Sequence, residues 1–94
     1  MIARIYYNQE GSPSWGDVPL ADLWRGWCTL VGAGYTINRW EVLDEHNKVR
    51  AKVTIARTHH GWYTQSVTVD GKPVGSFPHV QQAWTAIVDA LEAS

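Results

Sequence analysis

Six tryptophans in a chain of 94 residues, Trp15, Trp24, Trp27, Trp40, Trp62 and Trp84, set the first constraint on what it can fold into. An indole side chain buries about 150–250 Å², and a small domain hides a smaller share of its surface than a large one. One small core cannot take in all six rings. Some must reach the surface, where Trp is strongly enriched at binding hot spots. The excess therefore points to a binding module and away from a catalyst.

The length fits one domain over residues 1–94, and 45% hydrophobic with 18% charged residues excludes a disordered chain. No apolar run approaches the roughly 18 residues of a spanning helix. Residues 1–7 lack the charged-then-apolar layout of a signal peptide. Cys28 is the only cysteine, so no internal disulfide framework forms. A reducing cytoplasm is the expected location, without a membrane partner. The formal net charge is −1, but residues 1–45 carry −3, residues 46–76 carry +4 and residues 77–94 carry −2. A basic middle between acidic flanks can steer a charged partner even when the total is near zero.

Ile2 to Tyr7 reads as a short strand. Asn8 to Asp17 is polar and broken by Gly and Pro, so it reads as a loop, with Trp15 either plugging the core edge or serving as an exposed anchor. Leu20, Leu23, Trp24, Trp27, Leu30 and Val31 recur at helical spacing. Asp17 and Pro19 act as start signals and Gly32 and Gly34 as stop signals, predicting a helix from about 18 to about 32. Gly26 inside that helix implies close packing against a neighbour.

Three strand-like runs follow: Tyr35–Glu45, Lys48–Thr58 and Trp62–Val69. The apolar phase shifts between Ile37 and Trp40, which predicts a bulge or twist near Asn38. Asp70-Gly71 is a strong hairpin signal before a short strand, Pro73–Phe77. Pro78 then opens a last helix with Val80, Ala83, Trp84, Ile87, Val88 and Leu91 on its apolar face. The order β-α-β-β-β-β-α predicts an α+β domain: a mainly antiparallel sheet of four to five strands with both helices on one face. Its core should hold Ile5, Leu20, Leu23, Trp24, Trp27, Val53, Ile55, Val67, Val69, Phe77, Trp84, Ile87 and Leu91.

The other sheet face is left to water. By alternation it displays Arg39 and Glu41, then Arg50, Lys52 and Thr54, then Trp62, Thr64, Ser66 and Thr68. Such residues are ordinary occupants of a solvated face. They also make a recognition surface, with cations for phosphates or carboxylates, hydroxyls for hydrogen bonds and an aromatic ring for stacking. The candidate binding residues are thus Arg39, Arg50, Lys52, Thr54, Trp62 and Thr64, with Trp15 as a separate aromatic anchor. A second copy of the chain is an alternative cover for that face.

Residues 49–91, and above all Gly75-Ser76-Phe77-Pro78-His79-Val80-Gln81-Gln82-Ala83-Trp84, resemble the three-strand-plus-helix unit of AP2-type DNA-binding domains and of some phage integrase arms. That resemblance implies Arg50, Lys52 and Trp62 as sheet residues entering a major groove. Helix–three strands–helix is also the order of double-stranded-RNA-binding domains, but their lysine-rich second-helix start is absent from Pro78–Gln82. In size and in Trp, Ala and Val usage the chain is similar to small early proteins of actinobacterial phages, which implies action by binding a host component.

His59 and His60 are neighbours whose side chains diverge on a strand, unsuited to one ion, and His46 and His79 sit at other turns. Gly32-Ala33-Gly34 follows a helix instead of opening one, so it is no phosphate loop. Asp44-Glu45 reads as turn chemistry. No cofactor, metal site or catalytic group is expected. The leading expectation is a non-enzymatic protein-binding module with a host protein as partner, and the alternative is duplex DNA binding by the sheet face.

Overall fold

In the computed structural model, which describes residues 1–57 and 63–93, the chain forms a six-stranded antiparallel sheet in the order β2-β1-β3-β4-β5-β6. The elements are β1 (Ile2–Gln9), β2 (Ser12–Pro19), a 3-10 turn (Leu20–Asp22), α1 (Leu23–Gly32), β3 (Thr36–Leu43), β4 (Val49–Arg57), β5 (Tyr63–Val69), β6 (Lys72–Phe77) and α2 (Val80–Ala93). The α+β class and single domain are as expected, but the strand count and order are not.

The difference lies in residues 8–19, which form a hairpin in place of a loop and a helix start. Glu10 (φ 51) and Gly11 (φ 83) both take positive φ, the signature of the two-residue turn that matches strand twist. The chain then pairs back along β1 from Gln9↔Ser12 to Ile2↔Pro19. Pro13 and Pro19 fit here because β2 is an edge strand, where a missing N–H can face solvent. Pro19 therefore ends a strand, and α1 starts at Leu23 instead of near residue 18.

Since β1 is antiparallel to both β2 and β3, those two strands run parallel, and α1 carries the chain back over β1. Gly26 makes the close approach: an added Cβ there would lie 3.1 Å from Val18 Cγ1. α1 ends in a Schellman cap, with Gly34 at φ 87 and backbone bonds from Gly34 N to Val31 O and from Tyr35 N to Leu30 O. The predicted irregularity at Asn38 is present: Tyr6 pairs with Arg39 but Tyr7 pairs with Ile37, leaving Asn38 as the extra residue. Asp70-Gly71 makes the expected hairpin turn, with φ of 51 and 82.

Both helices cover one sheet face. Leu23 of α1 and Val80, Ala83 and Ile87 of α2 share a core with Ala3, Ile5, Trp40, Val42, Ala51, Val53, Val67 and Val69. The tryptophans sort differently from the sequence expectation. Among the described residues Trp40 is the fully buried tryptophan, while Trp24 is 44% exposed. Trp27 and Trp84, with Leu20, Phe77 and Leu91, pack against the core only partly buried. Among the described residues, no helix is long and apolar enough to cross a membrane.

Candidate functional site

The uncovered sheet face is ordered by strand register into two rows of side chains. One runs Trp15, Tyr6, Arg39, Thr54, Ser66, Ser76 and crosses all six strands. The other runs Asp17, Arg4, Glu41, Lys52, Thr68, Pro73. Arg39, Lys52, Thr54 and Thr64 thus share one face, as the alternation predicts. Trp62 lies outside the described residues. Trp15 neither sits in a loop nor plugs the core edge: it stands on β2 directly across from Tyr6 and is 56% exposed.

At the β2-β1-β3 end, two guanidinium groups stack on two aromatic rings. Arg4 Cζ lies 4.4 Å from the centre of the Trp15 ring, and Arg39 Cζ lies 3.7 Å from the centre of the Tyr6 ring. Each contact adds cation–π attraction. Carboxylates hold the stack in place. Arg4 donates from Nε and Nη2 to the two oxygens of Asp17 at 2.8 and 3.0 Å, a bidentate pair with fixed geometry. Tyr6 Oη donates to Glu41 Oε1 at 2.7 Å, and Arg39 Nη1 lies 3.9 Å from the same oxygen.

The electrostatic effects follow these contacts. The Arg4 bond depresses the Asp17 pKa, and Asp17 in turn raises that of Arg4. The hydrogen bond to Glu41 pushes the Tyr6 phenol upward, with burial adding to it. The Glu41 side chain is only 11% exposed, whereas that of Arg39 is 52% exposed. Arg39 lies over the Tyr6 ring and about half of its side chain stays in contact with water.

At the β4-β5 end the arrangement is different. Arg50, read from the sequence as free to meet a phosphate, donates from Nε and Nη2 to Asp70 at 2.8 and 3.1 Å. That pair depresses Asp70 and raises Arg50. Asp44 Oδ1 accepts the backbone N–H groups of His46 and Lys48 at 2.8 and 3.0 Å, and the Lys48 bond chiefly lowers its pKa. Ser66 and Ser76 hydroxyls lie 3.1 Å apart. Thr64 Oγ1 reaches the Ala56 carbonyl only at 3.5 Å.

Sequence reading missed Arg4, Tyr6 and Asp17 as members of this face. Placing β2 against β1 requires recognising Glu10-Gly11 as a hairpin turn, and that dipeptide was the available signal. On the helix side, Leu20, Leu23, Trp24, Val80, Trp84 and Thr85 line a groove of about 290 Å³. No protein-family model, curated protein or solved structure matches this chain.

Proposed function

We propose that this chain is a non-enzymatic binding protein, phage-encoded, that docks a host protein on its uncovered sheet face with Trp15, on the edge strand β2, as an aromatic anchor. The observation that carries this reading is the contiguous patch of Trp15, Tyr6, Arg4 and Arg39. Trp, Tyr and Arg are the residue types most enriched at hot spots. Stacking and ion pairing already fix these side chains, so little rotamer freedom remains to be lost on binding. Both sheet edges carry proline, Pro13 and Pro19 on β2 and Pro73 on β6, which disfavours strand addition and leaves the face as the docking surface.

Affinity capture from a nuclease-treated actinobacterial host lysate tests the reading, with wild type beside Trp15→Ala and Tyr6→Ala. A protein held by wild type and lost from both variants, with their folds intact by circular dichroism, is the expected result. No retained protein, or equal retention by all three, overturns it.

Duplex DNA on the same face is the second reading. It draws on Lys48, Arg50 and Lys52, which line one depression at the β4-β5 end, and on the resemblance of residues 49–91 to DNA-binding units. Against it, Arg50 is already committed to Asp70, and phosphate-driven affinity grows with the number of cations that neutralise the backbone. Anisotropy titration of a DNA duplex at low salt, repeated on Arg50→Ala/Lys52→Ala, separates the two readings. Binding lost in that variant favours DNA.

A further inference from the structure

We infer that the docked partner lays an acidic, extended segment along β4, with its carboxylates on Lys48 and Lys52. This deepens the docking proposed above and rests on it. On the strands and at their ends, Asp17 is engaged by Arg4, Glu41 by the Tyr6 hydroxyl, Asp70 by Arg50 and Asp44 by two backbone N–H groups, while Glu45 in the β3–β4 turn is exposed beside His46. Lys48 and Lys52 are exposed, and among the described residues neither makes an ion pair. The charge left over for a partner is therefore positive.

Position narrows the partner further. Lys48, Arg50 and Lys52 occupy alternate positions and line one depression together with Thr68, Asp70 and Asp44. Arg50 is spoken for by Asp70. The uncommitted Lys48, just before β4, and Lys52, on it, are four residues apart, about 13 Å along an extended chain. That suits an extended ligand with carboxylates four residues apart, a spacing that Glu at alternate positions includes. Lys72, the first residue of β6, adds to the positive field acting on Asp70. The helix layer has the opposite sign, with Asp22, Asp89 and Glu92 against Arg25. An acidic segment is thus attracted to one face and repelled from the other, which fixes orientation as well as affinity. A polyphosphate chain is served less well, because the committed carboxylates Asp44 and Asp70 stay within the depression and the free cations are few.

The test is amide chemical-shift mapping on the intact chain with three probes. The first is a synthetic peptide with Glu at alternate positions. The second is the same peptide with Gln for Glu, and the third is a short single-stranded oligothymidylate. The Glu peptide should shift amides of residues 48–54 and 68–72 and leave those of α2 unmoved. Its affinity should fall about fivefold in Lys48→Glu/Lys52→Glu, as expected for two exposed ion pairs. It should also weaken between about 50 mM and about 300 mM salt, as exposed charge pairs are screened. The inference is overturned if the Glu peptide shifts nothing, if the Gln peptide binds as well, or if the oligonucleotide binds more tightly. The two proposals fail separately. Loss of the captured protein in Trp15→Ala but not in Lys48→Glu/Lys52→Glu keeps the docking face and removes the acidic segment.

Discussion

The Trp40 indole has no exposed surface, and its Nε1 donates to Gln65 Oε1 at 2.9 Å within the core. A buried N–H stripped of its acceptor costs about 1–3 kcal/mol. Gln65→Leu keeps the volume and removes the acceptor, so it should lower stability by about that amount in urea unfolding. Trp40→Phe/Gln65→Leu should cost less than the two single changes added together, by about 1 kcal/mol, because the second change no longer orphans a donor. Additive losses would mean that the bond contributes nothing specific. This pair also shows where sequence reading runs out at the residue scale. Trp40 and Trp24 are equally apolar, and only the tertiary arrangement sends one inward beside Gln65 and leaves the other 44% exposed. A glutamine on the inner side of a strand gives no period-2 signal. Its reason for being buried is a donor 25 positions away.

At the scale of elements, the strongly patterned segments were legible and the weakly patterned one was not. β4 alternates cleanly, Asp70-Gly71 turns as its chemistry demands, and the bulge at Asn38 follows from a visible phase shift. β2 gives no such signal. Its inner positions are Ser14, Gly16 and Val18, its outer ones include Trp15 and Asp17, and it carries two prolines. Only its edge position makes that sequence acceptable as a strand. The end of α1 offers a direct test of glycine roles. Gly34 holds φ 87 at the cap, so Gly34→Ala should cost about 1 kcal/mol. Gly32 lies inside α1 with nothing within 4 Å of an added Cβ, so Gly32→Ala should stabilise by up to about 1 kcal/mol. Thermal midpoints moving in opposite directions are expected, and movement in the same direction would contradict the cap assignment.

For the whole molecule, one face carries the apolar union of sheet and helices, and the other carries a lattice of charge pairs and hydrogen bonds that responds to pH at both extremes. Asp17, Asp44 and Asp70 all have depressed pKa values in the fold. A carboxylate lowered by folding contributes stability that is complete above its unfolded value of about 4 and lost as pH falls through the folded value. The uncovered face should therefore weaken in acid. Tyr6 supplies the alkaline limit. Its pKa is raised by the bond to Glu41, so its contribution is complete below the unfolded phenol value of about 10 and is lost as pH rises through the folded value. Stability should form a plateau from about pH 5 to about pH 9, falling on both sides. Urea midpoints measured across that range should show the alkaline fall diminished in Tyr6→Phe and the acid fall diminished in Asp17→Asn/Asp70→Asn. Unchanged limbs in these variants would mean that the cross-strand bonds contribute nothing to the stability of the uncovered face.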